Sequence, residues 1–126
     1  MNNFLSLKLY KNNDLYLEKK LLNYAKTNNK YEFSLEDVLN TIIISEDAMV
    51  LTRDNKESTL ELTVNKNGNH KCRYLLKELD AYVDIVVDSA EFSIQDDKLE
   101  LYYQLESDDQ FTRLEINNIL PPSQFM

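Results

Sequence analysis

The chain has 126 residues, enough for one domain that buries roughly two-thirds of its unfolded surface without metal or disulfide staples. Its 22 Asp and Glu against 14 Lys and Arg give a net charge of −8. That balance argues against non-specific binding to nucleic acid, which needs a Lys/Arg footprint on phosphates. A single Cys and a single His exclude an internal disulfide and a Cys/His zinc site, and no apolar run approaches the ~20 residues of a membrane span.

The first residues, Met-Asn-Asn-Phe-Leu-Ser-Leu-Lys, lack a basic run followed by a long apolar one, so no signal peptide is read and a cytoplasmic location is expected. Gly68 is the only glycine, so no phosphate-cradling loop and no nucleophile elbow can be written. Turns must instead use the 14 Asn and the Asp residues, which tolerate positive φ better than other side chains.

Alternation of apolar and polar residues dominates. Leu5, Leu7 and Leu9 alternate up to the turn cluster Asn12-Asn13-Asp14. Leu15 and Leu17, then Leu22 and Tyr24, follow, and Lys26-Thr27-Asn28-Asn29 turns the chain. Tyr31, Phe33 and Leu35 alternate next. Ser34 and Asp37 have the spacing of a capping box, which predicts one helical turn over 35–40. Ile42 and Ile44 lead to the turn at Ser45-Glu46-Asp47, and Met49, Leu51 and Arg53 share one parity up to Asp54-Asn55.

Leu60, Leu62 and Val64 alternate into Asn67-Gly68, a dipeptide suited to a type I′ hairpin turn, and Cys72 and Tyr74 return beyond it. Val83, Ile85 and Val87 precede Ala90, Phe92 and Ile94. After Asp96-Asp97, Leu99, Leu101, Tyr103 and Leu105 form the clearest period-two run. Ser107-Asp108-Asp109 turns the chain again, and Leu114 and Ile116 close the series. Turns about every 8–12 residues predict an all-β sandwich or barrel. Residues 14–27 and 74–87 also fit helical spacing, although strand fits both better.

Parity sharpens this reading. Val83, Ile85 and Val87 are odd, whereas Ala90, Phe92 and Ile94 are even. A straight strand cannot place both sets on one face, so a bulge or bend is expected at Asp88-Ser89. Leu15 and Leu17 against Leu22 and Tyr24 predict the same near Lys19-Lys20.

From about residue 31 the pattern resembles a known family. The residues that carry the resemblance are Tyr31 and Phe33, Met49-Val50-Leu51-Thr52-Arg53, the strand from Leu60 to Val64, Tyr74, and above all Phe92-Ser93-Ile94, Asp96-Asp97 and the run from Lys98 to Leu105. They are similar to the uncharacterised bacterial calycin-like β-barrels typified by YwiB. The resemblance implies a closed antiparallel up-and-down barrel, lipocalin-like in shape, and because Pro121-Pro122 ends regular structure the barrel is expected over residues 1–120 with a C-terminal tail at 121–126. The expectation is about 8–10 strands and at most one short helical turn. It implies no activity.

No nucleophile–base–acid set is visible, so a non-enzyme without cofactor or metal is expected. His70 and Cys72, two residues apart on one strand, would stand about 6.5–7 Å apart, too far for a Cys–His pair by backbone spacing. Cys72 is read as a buried, inert thiol. Arg53 continues the parity of Met49 and Leu51 and points inward near a strand end, where it could capture a carboxylate or phosphate, reach to the rim, or pair with Glu61, Glu100 or Glu115. Tyr74 and Tyr103 are the tyrosines expected to line any pocket beside it.

Two functions follow as expectations. One is a binding module for a small anionic or amphipathic ligand inside the barrel, at Arg53, Tyr74 and Tyr103. The other is a protein-interaction module that uses its acidic outer surface, as a homodimer or with a basic protein partner. Neither nucleic acid nor membrane is expected as a partner. A filled barrel favours the second reading, and a cavity of some 300 Å³ or more favours the first.

Overall fold

The computed structural model describes residues 3–106 and 108–119. Ser107 and the expected tail at 121–126 lie outside them. Eleven antiparallel strands and no helix are described: β1 (Asn3–Lys11), β2 (Asp14–Thr27), β3 (Lys30–Leu35), β4 (Val38–Ile44), β5 (Ala48–Asp54), β6 (Ser58–Asn65), β7 (Lys71–Leu76), β8 (Ala81–Ile85), β9 (Val87–Gln95), β10 (Lys98–Leu105) and β11 (Thr112–Asn117). They form one sheet in the order β8-β7-β6-β5-β4-β3-β2-β1-β11-β10-β9. β1 pairs with both β2 and β11, and β9 comes back against β6, so the sheet curls into a nearly closed barrel.

The inward residues are those the alternation selects. Leu5 and Leu7, Tyr31 and Phe33, Ile42 and Ile44, Met49 and Leu51, Leu62 and Val64, Leu99 and Leu101, and Leu114 and Ile116 are all buried in one core. Each fully buried aliphatic or aromatic side chain contributes about 1.5–3 kcal/mol over its exposed state. The outward positions between them carry the ion pairs, including Lys8–Glu18, Lys30–Glu32 and Lys98–Glu100.

Both parity slips are where the barrel turns its corners. On β2, Leu5 faces Leu22 but Leu7 faces Lys19, so β2 carries one extra residue between those pairs. The first part of β2 then pairs with β1, and Ala25 to Thr27 pair with β3. At the opposite corner β8 ends at Ile85 and β9 begins at Val87. Gln104 faces Ser89 while Leu105 faces Val87, which leaves Asp88 as the bulged residue. β8 and β9 thus form one kinked path, paired to β7 before the kink and to β10 after it. Counting the two halves separately brings the number of strands to eleven, above the 8–10 expected.

Residues 14–27 are one continuous strand, and 74–87 hold the end of β7, the turn at 77–80, β8 and the first residue of β9, so neither segment is helix. The helical turn expected over 35–40 is absent. Leu35 pairs with Val38 across a two-residue loop in which Glu36 and Asp37 both have positive φ, 51° and 64°. That is type I′ geometry, whose twist matches the flanking strands. Among the described residues, seven of the eight non-glycine positions with positive φ are Asn or Asp, and Glu36 is the exception.

The type I′ hairpin expected at Asn67-Gly68 is also corrected. Only Gly68 has positive φ there, 88°, and the connection runs from Lys66 to His70. Side chains hold this longer loop: Asn69 N–H donates to Asn67 Oδ1 at 2.9 Å, and Asn65 N–H donates to His70 Nδ1 at 3.1 Å. His70 is therefore a loop residue rather than part of β7.

Candidate functional site

Arg53 is the last but one residue of β5, in phase with buried Met49 and Leu51. It lines a small interior cavity at one end of the barrel together with Asn40, Tyr103, Thr112, Leu35 and Leu114. Asn40 is opposite Arg53 across the β4–β5 pair and donates its side-chain amide to the Val38 carbonyl at 3.2 Å. On the far wall Tyr103 is opposite Thr112, whose hydroxyl acts on the phenol. Burial raises the Tyr103 phenol above its ordinary pKa, against the opposing pull of the nearby Arg53 charge and the Thr112 bond. The phenol is thus a neutral hydrogen-bonding group at neutral pH.

Lys11, at the end of β1, reaches the same wall and donates to Thr112 Oγ1 at 3.0 Å. Thr112 therefore stands between the Lys11 ammonium and the Tyr103 phenol. None of the carboxylates expected to pair with Arg53 does so. Glu61, Glu100 and Glu115 alternate with inward leucines and isoleucine and lie on the outer face. Glu100 and Glu115 meet Lys98 at 3.1 and 3.8 Å, and Glu115 also meets Arg113 at 3.7 Å. Among the described residues no carboxylate lies within ion-pair distance of Arg53.

The structure brings Arg53 and Tyr103 together and leaves Tyr74 apart. Tyr74 faces Leu60, which in turn faces Arg53, so Tyr74 is two strands away, roughly 10 Å along the sheet. Lys11 and Thr112 are the members that the sequence reading omitted. The signal was present: Lys11 is in phase with Leu7 and Leu9, as Thr112 is with Leu114 and Ile116.

The cavity volume is about 20 Å³. That holds about one water molecule. Open grooves on the outside are far larger. One of about 510 Å³ lies at the β7–β8 corner among Glu61, His70, Cys72, Arg73 and Asp84. Burial pushes the Cys72 thiol up to about 11, and His70 Nδ1 accepts a backbone N–H, so this pair has neither a thiolate nor a free base at that nitrogen. Among the described residues no three His, Cys, Asp or Glu side chains converge to hold a metal ion. Comparison with protein-family models, curated proteins and solved structures gives no match.

Proposed function

We propose that the protein is a non-enzymatic interaction module that engages a protein partner through its acidic outer surface, with the barrel as a filled scaffold. The filled interior carries this reading. A pocket for a small-molecule ligand runs to about 300 Å³ or more, whereas the space beside Arg53 is about 20 Å³. The net charge of −8 favours a basic protein over another acidic surface. The all-β barrel supports the calycin-like, YwiB-like assignment as part of the same proposal, and the lone buried thiol supports a cytoplasmic location. Native mass spectrometry of freshly purified protein tests the reading. An adduct-free barrel that appears as a dimer or in complex with a basic protein supports it. A small molecule retained on the barrel overturns it.

A second reading rests on Arg53. Its inward guanidinium without a carboxylate, beside the Tyr103 and Thr112 hydroxyls, suits a small anion at the barrel mouth. Thermal shift with inorganic phosphate and with acetate, wild type beside Arg53→Leu, tests it. Stabilisation that disappears in Arg53→Leu supports the anion, and no shift in the wild type removes it.

A further inference from the structure

β8 pairs with β7 alone, so among the described residues its outer edge is an unpaired row of backbone donors and acceptors. Four apolar side chains stand exposed on this strand and its flanks: Leu79 at 70%, Tyr82 at 61%, Val83 at 47% and Val86 at 60%. Four carboxylates are interleaved with them, at Glu78, Asp80, Asp84 and Asp88. The cation in this stretch, Lys77, is turned away to Asp54 at 2.6 Å and to the Asn55 carbonyl at 2.6 Å. Among the described residues only Asp84 of the four meets a cation, Arg73 at 3.4 Å, and that pair is itself exposed.

Resting on the interaction-module reading, we infer that the free edge of β8 takes an extended segment of a basic protein, which adds to the sheet as an outer strand. Backbone ladder bonds supply affinity in this mode, and alternate side chains supply specificity. On the outer face the incoming strand lies beside Tyr82 and Asp84, where Arg73 is already 5.0 Å from the Tyr82 ring centroid and 3.4 Å from Asp84, so an incoming Lys or Arg gains charge attraction from the acidic row Glu78, Asp80, Asp84 and Asp88 that this one arginine leaves in excess. On the inner face it lies beside Val83, where a branched aliphatic residue covers the open corner. A second copy of the chain is disfavoured here, because two β8 edges would bring like carboxylates together. The edge of β2 facing β3 is also unpaired before Ala25, but there Glu18, Lys19 and Lys20 mix their charges, so it lacks the same preference.

The test uses three blocked peptides: alternating Lys and Val, alternating Glu and Val, and the Lys–Val peptide with two central Val replaced by Pro. Calorimetry measures affinity, and amide hydrogen exchange locates the added strand. The expected result is binding of the Lys–Val peptide alone, with exchange slowed at 81–87. Asp84→Lys/Asp88→Lys should weaken it at least tenfold. Glu46→Lys/Asp109→Lys, which makes the same change in net charge away from β8, should change it less than twofold. Circular dichroism verifies that both variants fold. Equal binding of the Pro-bearing peptide, equal loss in both charge variants, slowed exchange on β2 instead, or self-association through β8 would each overturn the proposal. No binding to any peptide overturns the β8 site, while the wider interaction reading falls only if native mass spectrometry finds a retained small molecule.

Discussion

Lys11 and Thr112 are opposite one another where β1 meets β11, and the ammonium donates to the hydroxyl at 3.0 Å. Thr112 is buried and is opposite Tyr103 across the β10–β11 pair. Thr112→Val keeps the shape but removes the acceptor of the Lys11 ammonium and the hydroxyl beside the buried Tyr103 phenol. The variant should lose about 1–3 kcal/mol, read as a lower urea midpoint with an unchanged slope. Thr112→Ser should recover most of it.

Cys72 is buried and its thiol is pushed up to about 11. At neutral pH it should resist iodoacetamide in native protein and react readily in urea. Cys72→Ser places a hydroxyl among apolar neighbours and should cost about 1–3 kcal/mol, more than Cys72→Val. Rapid alkylation of the folded protein would contradict the burial.

Asp54 receives hydrogen bonds from Lys77 and Thr59, and these hold its carboxyl below the ordinary aspartate value of 3.8. A lowered folded value means that the stabilisation is complete above the unfolded value and is lost as pH falls through the folded one. The stability difference between wild type and Asp54→Asn should therefore be constant above about pH 5 and shrink below about pH 4. Thermal unfolding across this range checks the sign.

Glu36 occupies a left-handed position, φ 51°, that suits Asn or Gly. Glu36→Asn should stabilise the protein by about 1 kcal/mol, because the turn keeps its geometry and loses the side-chain penalty. An unchanged or lower melting temperature would count against a type I′ turn at that position.

Asp88 is the extra residue that lets Val87 and Ala90 both face the core side. Deleting it forces one of the two apolar sets outward. The deletion should abolish cooperative unfolding, whereas Asp88→Ala should change stability by less than about 0.5 kcal/mol.

The two corners were legible because a shift in parity is a property of sequence alone. Lys19-Lys20 and Asp88-Ser89 each separate an odd apolar set from an even one, and each adjoins a bulge, but a second register shift on β2 sets Leu15 opposite Tyr10 and leaves it 52% exposed, so Leu15 and Leu17 do not share the expected face. Arg53 was legible as inward for the same reason. The turn at Glu36-Asp37 was not, since Ser34 and Asp37 satisfy a capping pattern while the strand pair Leu35 and Val38 overrides it. Asn67-Gly68 offered a two-residue hairpin, but the Asn67 and His70 side chains, accepting from the Asn69 and Asn65 backbone N–H groups, sustain a longer loop. The volume beside Arg53 was out of reach, because it depends on how far Leu35, Leu114 and Tyr103 close in from three separate strands. The open edge of β8 was hidden too, since alternation marks a strand without saying how many neighbours it has.

The order of the sheet also has a kinetic meaning. Nine of its ten strand pairs join neighbours in sequence, and the tenth joins β1 to β11. Lys11 and Thr112 meet across 101 residues. Closing a loop about ten times longer than a hairpin costs roughly 2 kcal/mol more in chain entropy. Hairpins can therefore zip independently on local contacts, and the ladder from Ser6–Asn117 to Lys11–Thr112 is the late, slow seam that makes a ribbon into a ring.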